Sequence, residues 1–143
     1  MTDVQRDAER LFGDAHVRRY RETGGAVGHR WKRGSKILLL TTTGRRTGMP
    51  STVPLIYENE GDAYVIVASK GGADAHPGWY RNLAKEPRVE VQVLNEVFAA
   101  EARTATGEER ARLWQLAARQ WPDYDVYRTR TEREIPVVVL ERR

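Results

Sequence analysis

Residues 37–54, ILLLTTTGRRTGMPSTVP, decide how this chain is read. A short, continuous apolar run with β-branched residues, bounded by turn residues, reads as a buried strand, here Lys36–Thr43. The run breaks at Gly44-Arg45-Arg46-Thr47-Gly48, a turn that offers backbone N–H groups, a hydroxyl and two guanidiniums able to hold phosphate oxygens in fork geometry. It is not a Walker loop, because no Lys-Ser/Thr pair follows the second glycine, and it lacks the spacing of a dinucleotide fingerprint. The same residues are also ordinary hairpin-turn chemistry. Working outward, Ser69–Asn82 reads SKGGADAHPGWYRN. A strand ends at Ser69 and Lys70, where an ammonium can neutralise an anionic ring, and Gly71-Gly72 lets a ligand approach the main chain. Trp79 falls on the helix that follows, where an aromatic is expected to pack on the sheet.

The remaining elements come from periodicity and punctuation. Val4, Ala8, Leu11, Phe12 and Ala15 predict an amphipathic helix over about Asp3–Arg21, stopped by Gly24-Gly25. Residues 1–25 are read as this helix, free to dock, to fray or to lie against a membrane, and 26–143 as one folded domain. Thr52–Glu58 and Ala63–Ala68 flank Asn59-Glu60-Gly61-Asp62, and Val89–Leu94 and Val97–Arg103 flank Asn95-Glu96, so both pairs read as hairpins. Pro77 starts a short helix that ends before Pro87. Thr106 with Glu109 is a capping-box signature, and Leu113, Ala117 and Trp121 mark the inner face of the helix it opens. Ile135–Leu140 is the last strand. Turns this short exclude helical crossovers, so the expected fold is mainly β, about six antiparallel strands in a barrel-like sheet with flanking helices.

Composition removes several chemistries. The 143 residues include no cysteine, which excludes disulfides and thiolate sites and leaves redox chemistry to a bound cofactor. His16, His29 and His76 lack metal-ligand spacing. No apolar stretch has the length of a membrane span, and a charged N-terminus replaces a signal peptide, so a cytoplasmic location is expected. The net charge is +4, yet Arg18–Arg46 alone carries nine cations against Glu22. Such a field suits a polyanionic ligand, an anionic membrane or nucleic acid, or is simply a solvated face.

Three segments, TTTGRRTGMPSTVPLIY (41–57), VASKGGADAHPGWYRNL (67–83) and WPDYDVYRTRTEREIPVVVLE (121–141), together resemble the deazaflavin-dependent nitroreductases of actinobacteria, also described as F-420-dependent quinone reductases. The resemblance covers about residues 35–141. It implies a split β-barrel of the flavin-mononucleotide-binding oxidoreductase type that holds reduced coenzyme F-420, with flavin mononucleotide or haem as the alternative ligand. It implies a phosphate loop at Arg45, Arg46, Thr47 and Gly48, and a ring site at Pro54, Ser69, Lys70, Gly71, Gly72 and Trp79. The substrate side maps onto Ile56, Trp121, Tyr124 and Tyr127, with Tyr124 and Tyr127 as the catalytic pair. Hydride would pass to a quinone, a nitroaromatic compound or a similar electrophile, and the cofactor's oligoglutamate tail would meet Arg30–Lys36. Three positions depart from the family pattern: Ser51 stands for an arginine, Ile56 for a tyrosine beside the ring and Trp121 for a tyrosine. A non-catalytic F-420 carrier and, more distantly, a nucleic-acid-binding module remain as other functions, the latter without a reading helix. A homodimer and a peripheral membrane contact stay open as partners.

Overall fold

The computed structural model describes residues 3–143, with side chains from Arg6 onward. Alternation along the buried runs sets the architecture. On β1 (Ile37–Thr43), Leu38 and Leu40 enter one apolar cluster while Ile37 and Leu39 enter another on the opposite face. The last strand does the same: Val138 and Leu140 join the first cluster, and Val137 and Val139 join a third. Runs without polar alternation are therefore strands covered on both sides, each fully buried Leu or Val contributing about 1.5–3 kcal/mol over its exposed state.

The strands are β1, β2 (Pro50–Ile56), β3 (Glu58–Glu60), β4 (Ala63–Val67), β5 (Arg88–Val93), β6 (Glu96–Thr104) and β7 (Val137–Arg142). They form one antiparallel sheet in the order β2-β1-β5-β6-β7-β4-β3. Its edge strands, β2 and β3, are consecutive in the chain and parted by Tyr57 alone. The sheet must curl until its two edges meet, which is the split-barrel architecture implied by the resemblance. There are seven strands where about six were expected, because Thr52–Glu58 is not one strand. Tyr57 divides it: its N–H donates to Lys36 O (3.0 Å), its carbonyl accepts from Gln120 Nε2 (2.8 Å) and its hydroxyl meets His29 Nε2 (2.8 Å). Residues before Tyr57 pair with β1 and those after it with β4.

Helices cover all three clusters. In place of one helix over 3–21 there are two, α1 (Asp3–Glu9) and α2 (Gly13–Thr23), separated at residues 10–12 with Gly13 at φ +57°. Gly24, at φ +58°, ends α2 as expected. Val17 and Tyr20 of α2 pack on Ile37 and Leu39. α3 (Gly78–Lys85) follows Pro77, which is the N-cap and not the first helical residue. α4 (Gly107–Gln120) sets Leu113 and Ala117 against Val137 and Val139, and α5 (Asp123–Tyr127) follows it. The capping box does not form. Thr106 makes no side-chain cap bond, and Glu109 is held by Arg103 through Nη1 (2.6 Å) and Nη2 (2.9 Å), a charge-assisted fork that outcompetes the neutral cap.

Tyr20 ties α2 to the sheet. It is fully buried, donates to Ile37 O (3.0 Å) and accepts from Leu94 N (2.8 Å) at the tip of the β5–β6 hairpin, where Leu94 has φ +55°. Burial pushes its pKa up to about 12, so the hydroxyl stays neutral. Tyr20→Phe orphans the Leu94 N–H and should cost about 1–3 kcal/mol. The change is read as a lower denaturant midpoint at unchanged slope; a midpoint equal to wild type would show that the hydroxyl does not hold the turn.

Candidate active site

A cleft of about 430 Å³ opens beside the seam where β2 and β4 approach. Pro54 and Ile56 come from β2, an edge strand where a missing N–H is tolerated. Ser69, Lys70 and Gly71 come from the turn after β4, and Trp79 from α3. Trp121, Tyr124 and Tyr127 come from the α4–α5 corner. One cavity thus collects nine of the residues expected from the sequence. Trp79 both packs on the barrel interior and lines the cleft.

The turn after β4 is the sharpest feature of the cleft. Ser69 is right-handed (φ −77°, ψ −40°), whereas Lys70, Gly71 and Gly72 have φ of +46°, +63° and +84°. A right-handed residue followed by a left-handed one turns successive N–H groups to one side, a concavity suited to an anion. The N–H groups of Ser69, Lys70 and Gly71 have no acceptor among the described residues. Lys70 is a non-glycine residue in a region that L-residues avoid, strain of the kind kept at functional sites. Gly72 does not line the cleft; it is buried against α5.

The Gly44–Gly48 turn lies outside the cleft and is joined to it through α3. Asn82 Oδ1 accepts from Arg45 N (3.1 Å) and Arg45 Nη1 (3.0 Å), while its Nδ2 donates to Thr42 Oγ1 (3.1 Å). Arg45 Nη1 also reaches Gly78 O (3.4 Å), next to Trp79. Arg45 is therefore held by the protein, and Arg46 is exposed with no partner among the described residues. Thr47 Oγ1 accepts from Met49 N (3.1 Å).

On the acceptor side Tyr124 is 5% exposed, and its hydroxyl has no hydrogen-bond partner among the described residues. Burial, then the neighbouring Tyr127, raises its pKa, so the group stays a neutral donor. Trp121 Nε1 donates to the Tyr127 hydroxyl at 3.4 Å. Trp121 stacks on Trp31 (5.7 Å, 19°), and Arg33 lies over its ring at 4.6 Å while pairing with Asp123 at 3.2 Å. Asp125 accepts from Trp114 Nε1 (2.8 Å), so the two aspartates serve separate partners.

Sequence reasoning missed Phe12, His16 and Trp31, which bring the N-terminal segment to the cleft. Trp31 alone carried a signal, an aromatic set among the cations of HRWKR. His16 Nε2 donates to Gly28 O at 2.8 Å. Arg133 was also missed. Its Nη1 lies 3.0 Å from His76 Nδ1, and since a guanidinium only donates, that nitrogen accepts and is unprotonated. Burial, then Arg133 and Arg81, lowers the His76 pKa below 6.5. The folded state thus binds this proton less readily than the unfolded one. The contribution is complete above pH 6.5 and is lost as pH falls through the folded value. Between pH 7 and 5 wild type should lose more thermal stability than His76→Asn, which keeps an acceptor but does not titrate; equal slopes would remove His76 from the account.

The sequence of residues 13–142 matches the family model described as F420H(2)-dependent quinone reductase. An F420H(2)-dependent quinone reductase of Mycobacterium tuberculosis is 44% identical over 148 residues, covering 99% of each chain. A solved F420-H2 dependent reductase is 44% identical with a TM-score of 0.69, over 73% of this chain and 93% of its own. A second solved structure, described as a domain-swapped dimer, is 40% identical with a TM-score of 0.72, over 87% and 96%. At 15% identity and a TM-score of 0.59, a haem storage protein from Vibrio cholerae shares the fold alone. Fold, motifs and relatives agree: the chain belongs to the F420H(2)-dependent quinone reductase family.

Proposed function

We propose that this chain is a reductase that binds reduced coenzyme F-420 in the cleft beside the β2–β4 seam and passes its hydride to a quinone held against Tyr124 and Tyr127. The observation that carries the reading is the single cavity that gathers Pro54, Ser69, Lys70, Gly71 and Trp79 with Ile56, Trp121, Tyr124 and Tyr127. The residues present fit such a group. Apolar walls suit a flat ring, and the unpartnered N–H groups and Lys70 suit its polar, anionic edge. When bound, reduced F-420 supplies two electrons as a hydride.

The chain's own residues then position, dry and protonate. Trp79, Pro54 and Ile56 fix the plane of a ring and exclude water; the Ser69–Gly71 turn and Lys70 hold its anionic edge. Tyr124, neutral because it is buried, donates a hydrogen bond to an acceptor oxygen as charge builds there. Its raised pKa disfavours a tyrosinate, so the proton itself comes through Tyr127 or water. Arg46 and Thr47 supply phosphate contacts, with Arg45 braced on Asn82. Among the cations opposite a polyanionic tail, Lys36 is paired with Glu58 and Arg33 with Asp123, which leaves Arg30 and Lys32. Nitroaromatic acceptors belong to the same reading, since any flat electrophile with a hydrogen-bonding oxygen meets the same tyrosines.

Among the described residues no helix is long and apolar enough to cross a membrane. Peripheral contact is part of the proposal, because Phe12 is 77% exposed at the cleft and is followed on α2 by Arg18 and Arg19. A homodimer is proposed by analogy with the 40%-identical relative.

The test is a fluorescence titration with reduced F-420 followed by anaerobic addition of menadione. Binding with recovery of oxidised-deazaflavin absorbance supports the reductase. Binding without turnover favours a carrier, and no binding removes the reading.

A further inference from the structure

We infer that Arg133 is a positioning residue that acts from behind the Ser69–Gly71 turn, holding its strained backbone and polarising the N–H groups that receive the anionic edge of the ligand. The inference rests on the reading above for the identity of that ligand. Arg133 is half-buried and places its fork on three carbonyls: Nη1 donates to Ala68 O (3.3 Å), Nη2 to Ser69 O (2.7 Å) and Nε to Ala73 O (2.7 Å). His76 Nδ1 takes a further Nη1 contact.

Peptide geometry gives these bonds a direction. Every peptide in the described chain is trans, and in a trans peptide the C=O and N–H of one unit point opposite ways. The unit that offers Ala68 O to Arg133 carries the N–H of Ser69; the unit that offers Ser69 O carries the N–H of Lys70. Both N–H groups therefore point away from Arg133. Ser69 and Lys70 line the cleft, whereas Arg133 does not and lines a separate polar depression with Asp74 and Thr129. A cation hydrogen-bonded to a carbonyl draws charge along that peptide and makes its N–H a better donor. Arg133 delivers part of its charge through two peptide units without touching the ligand.

The same bonds account for the backbone. Lys70 at φ +46° persists only where its surroundings over-determine it, and Arg133 clamps the residues on either side, Ser69 and Ala73. Lysine at 133 would keep the charge but lose the planar fork, and methionine would keep the stem and lose every donor.

The test compares Arg133→Lys and Arg133→Met with wild type by three readouts. The first needs no ligand: in ¹⁵N-labelled protein the Ser69 and Lys70 amide resonances should move upfield in Arg133→Met and partway in Arg133→Lys. The second is affinity for reduced F-420, expected to fall about tenfold in Arg133→Lys and about a hundredfold in Arg133→Met. The third is affinity for menadione, an uncharged occupant of the same cleft, expected to stay within about threefold because a neutral ring does not call on polarised N–H groups. Unmoved amides, or loss of menadione binding in step with F-420, would overturn the proposal by showing no effect or a merely structural one. Should Arg133→Met not fold, Arg133→Lys decides by the same three readouts. Should wild type not bind F-420, the functional reading fails, and the amide shifts still decide whether Arg133 polarises the turn.

Discussion

Gly72→Ala should lower the stability of this protein by about 2–5 kcal/mol, while Gly71→Ala, one residue earlier, should cost about 1–2. Both glycines have φ in the left-handed region, +84° and +63°, so both substitutions bear the strain of a side chain there. They differ in what a Cβ would meet. At Gly71 nothing lies within 4 Å; at Gly72 the new carbon would sit 2.6 Å from Tyr127 O and 3.1 Å from Tyr127 Cα. These are backbone atoms of α5, which cannot rotate aside as a side chain would. Alanine at 72 thus separates the turn from the helix that carries Tyr124 and Tyr127, adding the overpacking cost of a core insertion. Denaturant unfolding of the two variants measures the difference. Equal losses would mean that α5 yields freely and that the turn and the tyrosines are not one unit.

The fold was legible where a local pattern sufficed. ILLL was read as a buried strand and VVVL as the closing strand, and each is covered by the barrel interior on one face and by α2 or α4 on the other. What the pattern could not show was set by distant partners. Tyr57 divides β2 from β3 through Lys36 and Gln120, the latter 63 residues away, so no local signal distinguishes its position from mid-strand. Glu109 abandons the capping box for Arg103, a competitor that the cap motif itself does not contain.

The site divides along the same line. Ser69, Lys70 and Gly71 were legible because glycines after a strand announce close approach to the main chain, whatever lies opposite. Arg45 was legible as a cation but not as one held by Asn82, 37 residues on, where the sequence shows only a poor helix former inside a helix. Arg133 reads in sequence as one more charge in TRTERE, yet it spans 57–65 residues to reach its four partners. Phe12 lies between the two N-terminal helices and His16 on the second, and the docking of α2 on β1, a contact remote in sequence, accompanies their place at the cleft. Cleft residues contributed by backbone conformation were visible, and those that brace it from afar were not.

Tyr124→Phe should reduce quinone turnover by roughly 10²-fold while leaving stability and F-420 affinity nearly unchanged. A buried tyrosine would ordinarily behave the other way, because its hydroxyl is bonded and its removal orphans a partner. At Tyr124 no partner among the described residues is orphaned, so burying a phenyl ring in its place is neutral or slightly favourable. Its hydroxyl contributes nothing to the fold that would account for placing a polar group there, and the cleft it lines is where such a donor finds use. Tyr127→Phe is the control: it loses only the long Trp121 Nε1 contact at 3.4 Å, and its effect on turnover reports whether the proton reaches the acceptor through that hydroxyl or through water. Steady-state kinetics with menadione, beside a thermal melt of each variant, separates the two roles. A Tyr124→Phe enzyme that turns over at the wild-type rate would move the acceptor's hydrogen bond to Tyr127, whereas one that melts several degrees lower would show that the hydroxyl has a structural partner after all.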